Sequence, residues 1–303
     1  MPNTPARTRF KRSFGQANHF LVTLIVGLEA VRSGRAAPPP HFPATWEPRD
    51  AVRSAERSES FAIQGAVVFL ITALDRYLAE AARAATPSSP SLSAALDAAA
   101  RANKGLRGVA LAFADFSGAD RTPELALVEV ALQWRNRLVH SGSNARINGD
   151  LQDRLHQHAA DLQNNYRHLD PGQMIARFAS REESPSLKEV TGMITAAHRF
   201  VSSVDSAVLP LLDYGSLLDA VIRQHLDEVP RVEGLKRANR IWGRGEPRAR
   251  RAIVTLARQN GFAEPRDGIA HGLTDASIDR LACMSRVKSP GVVYESRDSS
   301  LSG

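Results

Sequence analysis

Apolar positions recur along this chain at spacings of three and four, the period of an α-helix. No stretch alternates apolar and polar residues as a half-buried strand does. A long helix is predicted over residues 50–85, where Ile63, Ala66, Val67, Leu70, Leu74, Tyr77 and Leu78 fall on one side. "TPSSPS" ends it, and its serines can cap a helix over 91–103. Thr122 as N-cap and Pro123 in the first turn open a helix predicted over 123–139. Within it Leu127, Val130, Trp134 and Leu138 form one apolar stripe. Val128, Leu132 and Val139 form a second, and Arg135 falls inside that second stripe. A helix apolar on so many sides belongs in a core or at a subunit interface. Further helices are predicted at 150–168 and 186–209, with smaller ones to about 285. Residues 14–33 make another, and its run "FLVTLIVGLEAV" is expected to be a core helix. The polar, basic first ten residues and the tail from Ser289 are expected to be disordered, and five prolines in "GRAAPPPHFPATWEPRD" follow the 14–33 helix. The expected fold class is all-α.

With 303 residues the chain suits two domains, or one domain with an appendage. The expected division is a basic N-terminal segment with a helix and Pro-rich linker over 1–49, and a helical bundle over 50–210. A smaller basic helical region over 211–288 and the tail 289–303 follow. Apolar residues make up 43%, enough for a core, while aromatics at 6% leave alanine and leucine to dominate, which favours helix over sheet. A single cysteine, Cys283, excludes an intrachain disulfide and a cysteine-based zinc cluster, and a reducing cytoplasm is the simplest location. The run after the basic N-terminus stops at Glu29 without a small-x-small cleavage site, so it is not expected to be an export signal. No run reaches the ~18–20 apolar residues of a membrane span, and no membrane partner is expected. The net charge of +7, carried largely by 34 arginines, favours polyanionic partners, although a GC-rich genome produces the same composition.

The stretch that carries chemistry is "ALQWRNRLVHSG", residues 131–142. An arginine followed five positions later by a histidine is no signal alone. Thirty-four arginines and nine histidines in 303 positions give about one such pair by chance, and the chain holds two. Context separates them. Five residues turn an ideal helix through about 500°, leaving the two side chains about 140° apart. Arg135 and His140 therefore converge only if the helix ends between them or a second subunit supplies a partner. Ser141 and Gly142 are suited to ending it. An arginine in an apolar stripe needs an anion, either a phosphate or a carboxylate such as Asp75 in "ITALDRYL". Two outcomes stand open: a buried Arg135–Asp75 salt bridge with His140 merely capping the helix, or an anion-binding site with His140 beside it.

"WRNRLVHSG" resembles the signature of the HEPN superfamily: an arginine with a polar residue directly after it, then a histidine, at the end of a long helix. Arg135, Asn136 and His140 occupy those positions, and "GAVVFLITALDRYLAE" looks like an earlier core helix of that fold, with Asp75 as its acidic residue. The resemblance covers 50–210 and implies a four- to five-helix bundle. It implies a metal-independent endoribonuclease with Arg135, Asn136 and His140 as catalytic residues, Asp75 supporting them, and no cofactor. It further implies RNA as substrate, a homodimer bringing two motifs together, and a role as a toxin or phage-defence effector with a neutralising antitoxin. Histidine suits proton transfer near neutrality and arginine suits a two-toothed phosphate grip. Other HEPN domains have no activity, so a non-catalytic module binding nucleic acid or a partner protein is the alternative.

Two other regions carry candidates. "EPRDGIAHG" repeats the pattern with Arg266, Asp267 and His271, but Pro265 and Gly268 predict a loop, so a second motif and a plain surface loop are both open. Residues 231–258 hold nine basic residues, among them Arg248, Arg250 and Arg251, against Glu233 and Glu246, with Trp242 among them. They suit a nucleic-acid surface with one stacking aromatic, or equally a solvated helical face. His156 and His158 stand two apart on a helix and point apart, so no metal site is expected.

Overall fold

The computed structural model describes residues 3–37, 41, 46–140, 143–180, 182, 184–262, 273–286 and 294–296. The chain is all-α. Helices α1 (Pro5–Phe14), α2 (Ala17–Arg32), α3 (Ala51–Ala85), α4 (Pro90–Arg101), α5 (Gly105–Ser117) and α6 (Pro123–Val139) come first. They are followed by α7 (Gly149–Gln157), α8 (Ala159–Asn165), α9 (Pro171–Ala179) and α10 (Leu187–Val208). The last are α11 (Tyr214–Asp227), α12 (Arg231–Trp242), α13 (Glu246–Gln259) and α14 (Asp275–Ala282). Among the described residues, the β structure is one antiparallel pair of three-residue strands, β1 (Met284–Arg286) and β2 (Tyr294–Ser296), with Ser285 opposite Glu295. Strand β2 falls in the tail expected to be disordered, the rest of which lies outside the described residues; three residues are too few to show alternation.

The chain divides into two compact units. The larger comprises residues 10–79 and 91–204, the smaller residues 1–9, 80–90 and 205–303. In the larger unit the predicted stripe of α3 is the core: Ile63, Val67, Leu70, Leu74, Tyr77 and Leu78 are buried, with Ala66 half-buried. The Tyr77 hydroxyl donates to the Val201 carbonyl at 3.2 Å, satisfying the one polar atom the stripe buries. Helix α6 packs on α5 and α7, and α7 on α9. In the smaller unit α11, α12, α13 and α14 pack in succession around Leu218, Ile222, Ile253 and Ile278. Each of these fully buried side chains contributes about 1.5–3 kcal/mol relative to exposure.

Several local expectations are corrected. Within the first ten residues helix α1 begins at Pro5, because Phe10 and Phe14 supply the spacing of four that buries one face of it. Residues 10–49 group with the larger unit and residues 1–9 with 205–303, where the Thr4 amide donates to Asp205 Oδ2 at 3.1 Å. The helix predicted over 150–168 is two, α7 and α8, separated at His158 (φ −95°, ψ 13°). Helix α9 lies outside the predicted helices although its start carries a local signal: Asp170 is its N-cap, accepting from the Gln173 amide at 3.1 Å, and Pro171 is its first residue.

Helix α2 is not a core helix. Of its apolar run only Leu21 is buried, and Phe20, Val22, Leu24 and Val26 face outward. Hydropathy states that a surface disfavours water without stating what covers it. Among the described residues, the helical stretches Pro5–Arg32 and Ala51–Ser88 are, by length and composition alone, apolar enough to cross a membrane, and the second supplies the buried stripe of α3. A span tolerates a charge or two within it, which a count of unbroken apolar residues misses.

Candidate active site

Helix α6 begins as predicted. Thr122 is extended (φ −104°, ψ 152°) and its hydroxyl accepts from the Leu125 amide, while Pro123 occupies the first turn, where no N–H is needed. Every residue from Leu125 to Leu132 is buried, and so is Trp134. From there the helix emerges: Arg135, Asn136, Arg137 and Leu138 are half-buried, and Val139 and His140 are exposed. The second apolar stripe is therefore closed over at Val128 and Leu132 but open at Val139.

One acid lies inside this buried helix. Glu129 is fully buried, and its Oε2 accepts from Arg107 Nε at 2.7 Å while its Oε1 accepts from Arg154 Nη2. The two arginines reach in from α5 and α7, so the carboxylate ties three helices together. Sequence patterning passed over Glu129 because an isolated acid in "ALVEVALQW" carries no spacing signal. A charge in so apolar a run was nevertheless a sign of a paired site.

The far end of α6 holds the motif. His140 terminates the helix with an extended backbone (φ −110°, ψ 107°), while its amide still donates to the Asn136 carbonyl at 3.1 Å. That change of backbone turns the imidazole back along the helix, so that Arg135 Nη1 lies 3.0 Å from His140 Nε2. The same Nη1 donates to Asn136 Oδ1 at 3.3 Å. A guanidinium has donors only, so Nε2 is the acceptor and turns its lone pair towards the arginine. Arginine, asparagine and histidine thus meet around one nitrogen at an exposed helix end.

Arg137 has a different task. Its guanidinium lies 3.5 Å from the centre of the Phe178 ring and 5.2 Å from that of Trp134, and Nη1 donates to the Phe178 carbonyl at 2.6 Å. Trp134 and Phe178 are themselves edge to face at 4.9 Å. The two arginines of "WRNRLVH" therefore separate: Arg137 is stacked into the wall and Arg135 is left for the site.

Asp75 does not join it. It is exposed on α3, and among the described residues it forms no ion pair with Arg135, so the buried salt bridge is not made. Arg135 is itself only half-buried, which leaves its charge partly hydrated and removes the need for a carboxylate. Ser141, Gly142, Arg266, Asp267 and His271 lie outside the described residues. Among the described residues no group of three His, Cys, Asp or Glu side chains could hold a metal ion, and His156 Nδ1 lies 2.9 Å from the Gln152 carbonyl of its own helix.

Compared with known protein families, characterised proteins and solved structures, the chain matches none.

The basic segment divides by partner. Arg250 is held between Asp275, which accepts from Nη2, and Asp279, which accepts from Nε at 2.9 Å. Trp242 is half-buried and its indole N–H donates to the Leu281 carbonyl at 3.0 Å, which ties α12 to the end of α14. Arg248 and Arg251 are exposed on α13. On α12, Arg231, Lys236 and Arg240 are also exposed, with Glu233 3.5 Å from Lys236 and 3.9 Å from Arg240. Arg250 is thus held within the smaller unit, whereas Arg248 and Arg251 project from α13 into solvent.

Proposed function

We propose that the chain is a metal-independent endoribonuclease of HEPN type. The observation that carries this reading is the 3.0 Å approach of Arg135 Nη1 to His140 Nε2 at an exposed helix end, with Asn136 Oδ1 on the same nitrogen. Cleavage of RNA needs a base for the 2′-hydroxyl proton, an acid for the leaving 5′-oxygen and a cation for charge building on phosphorus. In the proposed reaction a phosphate oxygen takes the place of Nε2 on the guanidinium. The released Nε2 lone pair receives the 2′-hydroxyl proton, the 2′-oxygen bonds to phosphorus, and the bond to the 5′-oxygen breaks. Asn136 orients the guanidinium from the side. Arg135 keeps its proton throughout and holds two phosphate oxygens in one plane.

A single histidine cannot begin as both base and acid, and a second copy of the chain would supply the other. Val139, 46% exposed beside His140, leaves an apolar surface at the motif for such a copy. Arg248 and Arg251 favour a second reading, a non-catalytic module that binds nucleic acid through α13.

Incubating a mixed RNA pool with the wild-type chain and with His140→Ala, both in EDTA, separates the two. The ribonuclease reading expects wild-type cleavage in chelator and a loss of roughly 10²–10⁴-fold in the variant. Binding without cleavage, or equal cleavage by both proteins, overturns it in favour of the binding module.

A further inference from the structure

The smaller unit contains a cleft that the motif on α6 does not use. It has a volume of about 420 Å³ and is lined by the last turns of α3, the turn that follows them, α11 and Arg9. That volume lies within the ~300–1,000 Å³ of small-molecule sites. Its walls are mainly apolar, with Ala84, Pro87, Leu212, Leu217, Ala220 and Val221 facing the space.

The charged groups that line it are paired or capped, with one exception. Arg9 donates to Glu80 Oε2 from Nε at 2.8 Å and from Nη2 at 2.7 Å, which makes that pair internally neutral. Asp213 is the N-cap of α11: Oδ1 accepts from the amides of Gly215 at 3.0 Å and Ser216 at 3.2 Å, and Oδ2 from the Ser216 hydroxyl at 2.6 Å. Its charge is therefore spent on the positive end of a helix. The Gln224 amide donates to Glu228 Oε1 at 2.6 Å. Arg83 differs. It is exposed at the cleft and has neither a hydrogen bond nor an ion pair among the described residues.

An apolar chamber with one uncommitted guanidinium at its edge selects a molecule with an apolar body and one anionic end. We infer that this cleft binds a small amphipathic anion, a carboxylate or phosphate monoester, with its hydrocarbon part against Leu217 and Val221 and its charge on Arg83. The carboxylates nearby oppose it only weakly, because Glu80 is paired with Arg9 and the charge of Asp213 is partly offset by the helix end it caps. Binding here is independent of the chemistry proposed at His140.

The test titrates the full chain with 1-anilinonaphthalene-8-sulfonate, an apolar anion that fluoresces out of water, and displaces it with octanoate, octyl phosphate and octanol. Two variants report the location. Ala220→Trp fills the cleft from an exposed wall position that the core does not depend on, and Arg83→Ala removes the cation. The inference expects saturable displacement by an octyl anion, abolished by Ala220→Trp. Arg83→Ala should weaken the anion about tenfold, the worth of one charge-assisted hydrogen bond, and leave octanol unchanged. Octanoate outcompeting octyl phosphate assigns a carboxylate, and the reverse assigns a phosphate monoester. Absence of saturable displacement, displacement unchanged by Ala220→Trp, or octanol competing as well as the anions overturns the inference.

Discussion

Arg135 Nη1 and His140 Nε2 lie 3.0 Å apart across five residues that an unbroken helix would splay about 140°. The contact exists because α6 stops at Val139 and His140 is extended. Neither side chain is buried deeply enough for the fold to depend on it, as Arg135 is half-buried and His140 exposed. Stability and chemistry should therefore separate cleanly at this site.

Arg135→Lys tests that separation. Lysine keeps the charge but offers a single ammonium that cannot reach Asn136 and a phosphate in the planar, two-toothed way of a guanidinium. Thermal midpoints of Arg135→Lys and His140→Ala should stay within about 2 °C of wild type, as for surface changes generally. RNA cleavage by Arg135→Lys should fall about 10- to 100-fold. A lysine variant that cleaves at the wild-type rate would show that the guanidinium fork has no part in the reaction.

Much of the frame was legible in the sequence, and particular residues show why the rest was not. Thr122 and Pro123 announce the start of α6, and the stripe from Ile63 to Leu78 announces the buried face of α3, because caps and periodicity are local signals. The fates of Arg135 and Arg137 were not legible. They stand two apart in one motif, yet one stacks on Phe178, a residue 41 positions away, and the other meets His140. The same holds for Arg250, whose acids lie on α14, and for Trp242, whose acceptor is Leu281. Charge and aromaticity say what a residue can do, and the tertiary fold decides whether it is already occupied.

Glu129 should prove the most stability-sensitive acid of the larger unit. Glu129→Ala strands the two arginines that reach it, but Arg107 and Arg154 are 39% and 23% exposed and can recover part of their hydration. The expected cost is about 1–3 kcal/mol, below the ~3–5 kcal/mol of breaking a wholly buried pair. Urea denaturation measures it directly. A change within about 0.5 kcal/mol would mean that the three-helix tie contributes nothing.

The basic residues of α13 should sort by partner. Arg248→Glu with Arg251→Glu should leave the thermal midpoint in place and weaken RNA binding. It should also flatten the dependence of log affinity on log salt by roughly 0.7 for each single-strand phosphate that is no longer neutralised. Arg250→Glu should instead lower the midpoint, because it sets a third acid against Asp275 and Asp279. An unchanged salt slope in the double variant would make α13 an ordinary solvated face.

Asp205 should give the smaller unit an acid-dependent component of stability. It is fully buried, accepts from the Thr4 amide at 3.1 Å and from the Thr4 hydroxyl, and lies 3.6 Å from Arg7 Nη1. Burial raises its carboxyl above the ordinary 3.8, outweighing the contrary effects of Thr4 and Arg7. A raised carboxyl means the folded chain holds the proton more tightly than the unfolded chain. The contribution is therefore absent near neutrality, grows as pH falls through the raised value, and is complete below 3.8. Other groups titrate in the same range, among them Asp213, which hydrogen bonds from Ser216 hold below the usual carboxylate value and which acts in the opposite sense. The comparison must therefore be with Asp205→Asn, which keeps an acceptor for Thr4 but has no proton to gain. Melting both proteins from pH 7 down to about pH 4, the wild-type midpoint should gain on the variant as pH falls. A difference that stays constant or shrinks would mean that the Arg7 and Thr4 contacts, not burial, dominate the carboxyl's free energy.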